Sequence, residues 1–223
     1  MIENLPNWIE ILFILTWIAT IVFFYYANGK AKRATIIILA WSILHSLLAY
    51  SGFYQNTTDI PPRFGLVLIP VIVLIIYGLL PNQQRWFLEH RNSIIATFSH
   101  IVRVPVELCL FGLFTHKMIP ELMTFEGWNF DIIIGITASI IGFLLLKQKS
   151  NKTLLVIWNV IGLLLVSSIM FMGILSAELP FQQLGFDQPN RAVIYFPFIL
   201  LPAVIVPIVI WTHLSELIRL LKS

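Results

Sequence analysis

Apolar runs of roughly 20 residues, the length that carries an α-helix across the hydrocarbon core of a bilayer, follow one another along the whole chain. Hydrocarbon offers no partner to a backbone N–H or C=O, so such a run must close its hydrogen bonds within itself as a helix. The spans read as Ile9–Tyr26, Ala34–Gly52, Pro62–Leu80, Ser93–Thr115, Phe130–Leu146, Leu154–Leu175 and Ala192–Trp211. Each is apolar on nearly all sides, as a lipid-facing or bundled helix must be. Gln83–Asn92 is too polar to span and reads as lying along the interface. Only 11% of the 223 residues are charged, against about 25% in soluble domains, and no stretch resembles a separate soluble domain. The expectation is therefore one all-α polytopic membrane domain over residues 1–223, with seven transmembrane helices.

Lysine and arginine collect in cytoplasmic loops. The connections after spans one, three and five and the C-terminal end hold Lys30, Lys32, Arg33, Arg85, Arg91, Lys147, Lys149, Lys152, Arg219 and Lys222. The opposite side holds Arg63, Lys117 and Arg191 among Glu3, Asp59, Glu121, Glu126, Asp131, Glu178 and Asp187. This ten-to-three imbalance places the N-terminus outside and the C-terminus in the cytoplasm. The pI near 9.1 thus reflects topology, and no nucleic-acid partner is expected. Met1–Trp8 carries Glu3, no basic residue and no small-residue cleavage site after the apolar run, so it reads as an external tail leading into a retained helix. The lone Cys109 lies inside a span and excludes an intrachain disulfide or a cysteine cluster.

An internal echo links spans one to three with spans five to seven. Each triplet opens on Asn-aromatic (Asn7-Trp8, Asn129-Phe130), and each second helix carries Trp beside a small polar residue (Trp41-Ser42, Trp158-Asn159). Each third helix follows proline and arginine (Pro62-Arg63; Pro189, Arg191) and contains prolines (Pro70; Pro197, Pro202, Pro207). The pattern suggests parallel halves, 7–80 and 129–211, joined by helix four at 93–115, the 3+1+3 plan of SWEET-type transporters.

Within helix four, Arg103 and Glu107 stand one turn apart on a shared face, and His100 extends that face toward the cytoplasm. A charge at mid-bilayer costs roughly 2.5 to 3.5 kcal/mol on insertion scales, so this pair marks a ligand or proton site, or a buried ion pair that fixes packing. Pro105 should leave the carbonyl of Ile101 without its helical donor. His45, in helix two at comparable depth, offers a base, a relay or a ligand. Asn159 in helix six is either a ligand group or interhelical glue. Arg63 and Arg191 at the outer edge, with Tyr195, complete the candidate binding set. His213 lies near the inner end of helix seven and His116 at the outer end of helix four, so neither should meet His45. That depth mismatch, and the absence of HExxH, HxxxH or CxxC spacing, gives no expectation of a metal or cofactor.

The outer loops 53–56, 123–131 and 180–191 are aromatic and polar, fit for a lid over the outer mouth, a partner-docking surface or an aromatic belt. Asn56-Thr57-Thr58 matches a glycosylation sequon on the outer side. Pro197, Pro202 and Pro207 should break span seven and expose the carbonyls of Val193, Phe198 and Ala203.

The segments Gly52–Asn56, Ile60–Phe64, Arg103-Val104-Pro105-Val106-Glu107, Met123–Asp131 and Pro180–Asn190 resemble a family of bacterial, Bacteroidetes-type, inner-membrane proteins over nearly the whole chain. The resemblance implies a bacterial cytoplasmic membrane; the family has no assigned activity and transfers no site residues.

Three functions fit. A carrier would hold a small acidic or zwitterionic solute on Arg103, with Glu107 as the coupling carboxylate. An intramembrane enzyme would set His45, Glu107 and Asp131 to acid–base work on a lipid or isoprenoid. A receptor, sensor or assembly partner would bind a membrane protein through the outer loops. A retinal Schiff base is excluded, since no lysine lies in the core of span seven.

Overall fold

The computed structural model describes residues 2 and 4–222; the expected external tail Met1–Trp8 lies partly outside them. Among the described residues the chain is all-helical, with a single isolated bridge between Ala177 and Asn190 and no strand. The helices are α1 (Asn7–Ala27), α2 (Lys32–Tyr50), α3 (Gly65–Leu79), α4 (Pro81–Glu89), α5 (Ser93–Phe98), α6 (Arg103–Thr115), α7 (Asp131–Leu146), α8 (Lys152–Leu175) and α9 (Val206–Lys222). A 3-10 turn at Ser99–Val102 joins α5 to α6, and a π-helical turn at Leu201–Ile205 leads into α9.

Five helical stretches are long and apolar enough to cross a membrane: Asn7–Ala27, Lys32–Tyr50, Ser93–Thr115, Lys152–Leu175 and Leu201–Lys222. α7 is a shorter apolar helix, and α3 meets α4 at a bend of 76°. The outward faces are those of a membrane protein. Ile11, Leu15, Ile18 and Val22 form an exposed stripe on α1, as do Leu66, Ile69, Val73 and Ile76 on α3. Such stripes recur at helical spacing and would be solvent-facing liabilities in water.

Two stretches are central. Half of the Ser93–Thr115 window and 61% of the Leu201–Lys222 window are buried, against 22–33% for α1, α2 and α8. α1 and α7 flank the first central stretch, α8 runs along α9, and α2, α3 and α4 pack around the π turn and α9. Helix starts are set by side-chain caps where asparagine is available: Asn92 Oδ1 accepts from the Ile95 amide at 3.0 Å and Asn151 Oδ1 from Leu154 at 2.7 Å. Gly29 turns the chain between α1 and α2 with φ +62°, and a Cβ there would fall 2.5 Å from that of His90.

Most expected spans coincide with helices to within a few residues, but the seventh does not. The expected span Ala192–Trp211 is displaced by about half of its length toward the C-terminus, to Leu201–Lys222. Residues 192–200 are apolar and mostly buried, yet form a 3-10 turn and irregular chain. Pro197 and Pro202 remove helical donors one after the other, and a regular helix is established only from Val206. Pro197 therefore lies outside the helix. The carbonyl expected to be free at Phe198 accepts from the Leu201 amide at 2.9 Å.

Candidate functional site

Arg103 begins α6, directly after the 3-10 turn. Pro105 sits in the first turn of α6, where a missing N–H is tolerated, and the break it demands is taken up by that turn. The Ile101 carbonyl is consequently met by the Arg103 amide and is not the free acceptor expected.

The Arg103 guanidinium points across the bundle. Its Nε faces Asp131 Oδ2 at 3.1 Å, and its Nη2 donates to the Gly162 carbonyl at 3.0 Å. It makes no ion pair with Glu107, contrary to the same-helix pair read from the spacing. Side chains lean toward the helix N-terminus, so an arginine four residues before a glutamate is the poorer order for pairing. Glu107 instead accepts from Asn129 Nδ2 at 2.6 Å, while Asn129 also donates to the Met123 carbonyl and accepts from the Asp131 amide. Gly135 makes the approach of α7 possible: a Cβ there would lie 2.8 Å from Val104 Cγ2 and 3.2 Å from Arg103 Cβ.

Asp131 and Asn129 reach this depth because the segment before α7 folds inward. Ile119, Met123, Thr124 and Asn129 are all at most 2% exposed. The segment thus folds in against the bundle, with the Asn129 side chain hydrogen-bonded inside.

Toward α9, His100 and His213 stack, with ring centroids 3.9 Å apart and planes at 19°. His213 Nδ1 bonds Asn159 Oδ1 at 2.9 Å, and Asn159 Nδ2 donates to the Leu155 carbonyl. Gly162 makes room, since a Cβ there would lie 2.4 Å from His213 Cε1. Trp158 closes the stack edge-on to both rings and donates to Thr137 Oγ1. Parallel stacked imidazoles aim their in-plane lone pairs side by side rather than at one point, a poor geometry for a shared metal. Among the described residues no three His, Cys, Asp or Glu side chains are grouped to hold one.

A second polar knot lies at the end of the bundle where α4, α5 and α9 meet. Arg91 pairs with Glu216, donates to Asn28 Oδ1 at 3.0 Å and to the Thr212 carbonyl at 2.9 Å. Ser93 and Arg219 also bond Glu216. Arg91 and Glu216 are almost wholly buried.

The remaining candidates are elsewhere. His45 bonds Tyr54 through Nδ1 at 2.5 Å and packs on Trp41; among the described residues no hydrogen bond joins it to Glu107. Burial pushes the Tyr54 phenol up to about 12, so its hydroxyl keeps its proton. Arg63 is held by Asp59 at 2.6 Å and by the Phe53 carbonyl and ring. Arg191 makes a two-point pair with Glu178, at 2.6 and 2.8 Å, and those bonds hold the Glu178 carboxyl below its usual range. Among the described residues neither arginine bonds the Arg103 cluster, and no hydrogen bond joins Tyr195 to it. The residues missed by the sequence are Asp131 and Asn129 as partners, and His213 and Gly162 on the far side. By its position Asp131 is an outer-edge charge, which the enzyme reading alone groups with Glu107, and the displaced seventh span hides the register of His213.

Several polar atoms of the Arg103 cluster are buried without a hydrogen-bond partner among the described residues: Arg103 Nη1, Asp131 Oδ1, Glu107 Oε2, His213 Nε2 and both His100 nitrogens. The cluster thus holds one guanidinium, two carboxyl groups and two imidazoles, with donors and acceptors left over on both sides of the guanidinium.

The family described as a domain of unknown function (DUF8737) matches residues 60–221, which include this whole cluster. No curated protein and no solved structure matches the chain.

Proposed function

The chain belongs to the DUF8737 family, and from that premise we propose that it is a carrier of the bacterial inner membrane for a small zwitterionic solute. The protein crosses the bilayer seven times, counting α3 with α4 as one span and α7 as another, with the N-terminus outside and the C-terminus in the cytoplasm. The two triplets around helix four act as the parallel halves of a 3+1+3 plan.

The observation that carries this reading is a charge count. Arg103, 2% exposed, has two buried carboxyl neighbours and faces Asp131 directly. One guanidinium balances one carboxylate. A second ionised carboxylate at that burial would be uncompensated, at a cost of several kcal/mol. Glu107, bonded only to Asn129, is the surplus acid. It is neutral when it holds a proton, and it can ionise when a cationic group arrives beside it. The unpartnered Arg103 Nη1 would take a solute carboxylate, and Glu107 Oε2 with Asp131 Oδ1 would take its ammonium group. A fully acidic solute fits less well, because Asp131 already matches the arginine. Loading of the solute thereby displaces the proton from Glu107, which couples the two movements.

Uptake by proteoliposomes under an imposed pH gradient tests this. The native chain accumulates a labelled amino-acid-like zwitterion above protein-free vesicles. Glu107→Gln retains downhill exchange but loses accumulation driven by the gradient. Absence of uptake for every zwitterion in a broad panel, or gradient-driven uptake unchanged in Glu107→Gln, would overturn the reading.

The exposed aromatics of the outer loops favour a second reading, that of an assembly partner. Trp128 is 75% and Phe186 69% exposed. A stoichiometric membrane protein retained by the native chain in mild detergent, and lost on Trp128→Ala with Phe186→Ala, would support it. The enzyme reading has less behind it, since His45 and Glu107 belong to separate hydrogen-bonded groups.

A further inference from the structure

Segments far apart in the sequence bring exposed cations to one corner of the bundle. The turn from α1 into α2 carries Lys30, Lys32 and Arg33, all exposed. That turn is pinned against the chain after α4. The Asn92 amide donates to the Ala27 carbonyl at 2.8 Å, and Arg91 Nη1 donates to Asn28 Oδ1 at 3.0 Å. Gly29 and Lys30 both take left-handed backbone there, with φ 62° and 61°, and His90 passes too close to leave Gly29 room for a side chain. α4 adds the exposed Arg85, and the end of α9 adds Lys222, whose Nζ donates to Gln84 Oε1 at 2.6 Å. An ammonium group has three donors, so Lys222 keeps two for another partner. The acid on α4, Glu89, stands 3.7 Å from Arg85, with side chains 62% and 82% exposed, and a pair so open to solvent binds weakly. Among the described residues no carboxylate pairs with Lys30, Lys32, Arg33 or Lys222.

The surroundings are those of a membrane interface. α4 meets α3 at a bend of 76° and so runs across the end of the bundle rather than along it. Tyr26 near the end of α1, Tyr77 near the end of α3 and Trp86 on α4 are exposed. Tyrosine and tryptophan in such positions collect at headgroup level. Beside the corner, an apolar cleft of about 320 Å³ opens between α2, α3 and α9. Ala34 and Ile37 line it from α2, directly after Lys32 and Arg33, and Gln83 and Phe87 line it from α4, on either side of Arg85. Ile37, Leu74 and Tyr77 are exposed at its mouth, so it opens onto the apolar outer surface of the bundle.

We infer that this corner binds an anionic phospholipid, its phosphate held by Lys32, Arg33 and Arg85 and an acyl chain laid in the α2–α3–α9 cleft. Fixed cations at headgroup level with a hydrocarbon-lined cleft beginning beside them match the order of groups along such a lipid. Basic pockets between membrane helices are a recurrent seat for anionic headgroups. A zwitterionic lipid brings its own cation next to the phosphate and gains less from surplus positive charge. Free phosphate would use the cations and leave the cleft without an occupant. The site does not depend on the carrier reading, since none of its residues belongs to the Arg103 cluster.

The test uses the purified full chain in detergent, with bound lipid counted by native mass spectrometry. Dioleoyl phosphatidylglycerol and dioleoyl phosphatidylcholine, which differ only in the headgroup, are titrated separately. The native chain should take up phosphatidylglycerol at a midpoint at least about tenfold below that of phosphatidylcholine. Lys32→Gln, Arg33→Gln and Arg85→Gln should each raise the phosphatidylglycerol midpoint about fivefold and leave phosphatidylcholine unmoved. All three side chains are exposed, so these changes spare the fold. Ala34→Phe, at the cleft wall, should weaken both lipids. The control is Lys147→Gln with Lys149→Gln and Lys152→Gln, equally exposed lysines at the turn between α7 and α8 and outside the cleft lining, which should leave both midpoints in place. Equal weakening by that control and by the combined Lys32, Arg33 and Arg85 variant would reduce the attraction to diffuse surface charge and overturn the site. So would equal midpoints for the two lipids, an Ala34→Phe variant that binds both as the native chain does, or full displacement of lipid by glycerol phosphate, which has the head without the chains.

Discussion

Arg103 and Asp131 face one another at 3.1 Å across α6 and α7, although Arg103 has an acid one turn away on its own helix. The pairing joins two helices where the same-helix alternative would have joined none. It also separates the roles of the two carboxyl groups: Asp131 balances the arginine, and Glu107 is left to the Asn129 amide.

The two acids should therefore respond differently to neutralisation. Asp131→Ala leaves a buried guanidinium without its matched charge and should cost about 3–5 kcal/mol, the usual penalty for breaking a buried pair. Glu107→Gln retains an oxygen for Asn129 and should cost less than about 1 kcal/mol. Unfolding in detergent by denaturant or heat checks the order. Equal losses from the two substitutions would refute the division.

Gly162→Ala should disrupt the stack of His213 on His100. The added methyl would sit 2.4 Å from His213 Cε1, displacing the ring and its bond to Asn159. Overpacking of this kind costs about 1–3 kcal/mol. Adding His213→Ala to Gly162→Ala should recover part of the loss by vacating that space. Additive losses in the double variant, measured by thermal unfolding, would show that the clash is relieved by other means.

Arg91 ties Asn28, Thr212 and Glu216 together at one end of the bundle. Arg91→Ala should loosen that end, with Arg219 still holding Glu216 and limiting the damage. A cysteine placed at Ser93, beside Glu216, reports the change, because the native Cys109 is buried. Labelling of Ser93→Cys by a maleimide in the detergent-purified chain should be slow with Arg91 present and faster by at least about tenfold in Arg91→Ala. Unchanged labelling would mean that the knot does not close this end.

The exposed pair of Glu178 with Arg191 gives a pH dependence of known sign. Hydrogen bonds from Arg191 hold the Glu178 carboxyl below its ordinary value of 4.5. Its contribution is present above that value and is lost as pH falls through the lowered one. Hydrogen exchange of residues 176–191 should be flat between about pH 5 and 8 after correction for intrinsic rates, then rise in more acid solution. Both side chains are nearly half exposed, so the effect should be small and weaken further in salt. Protection lost already near neutrality would contradict this origin.

An all-helical fold and the approximate register of most helices were legible in the apolar runs, because long apolar helices such as α1 and α8 have no other way to satisfy their backbones in a membrane. The seventh helix was not. Ala192–Leu200 is apolar enough for a span but is interrupted by proline, whereas Thr212, His213, Ser215 and Glu216 look too polar for the interior and are buried. Hydropathy treats each residue alone, and Glu216 is interior only because Arg91 meets it there. The same limit applies at the candidate site. The i, i+4 spacing made Arg103 and Glu107 visible as a pair, while Asp131 became a partner only through the inward fold of residues 119–129 and the gap left by Gly135. Spacing within a helix is written locally in the chain, and contact between helices is not.

The grip of Arg91 also has a consequence for biogenesis. Thr212 and Glu216 leave the ribosome long after Arg91, so the helices before α9 are made while this arginine still lacks its carboxylate. Insertion of the last helix is then the step that locks the early ones, in the manner of a keystone. A nascent chain stalled before Thr212 would display an unmatched cation at the bundle's end.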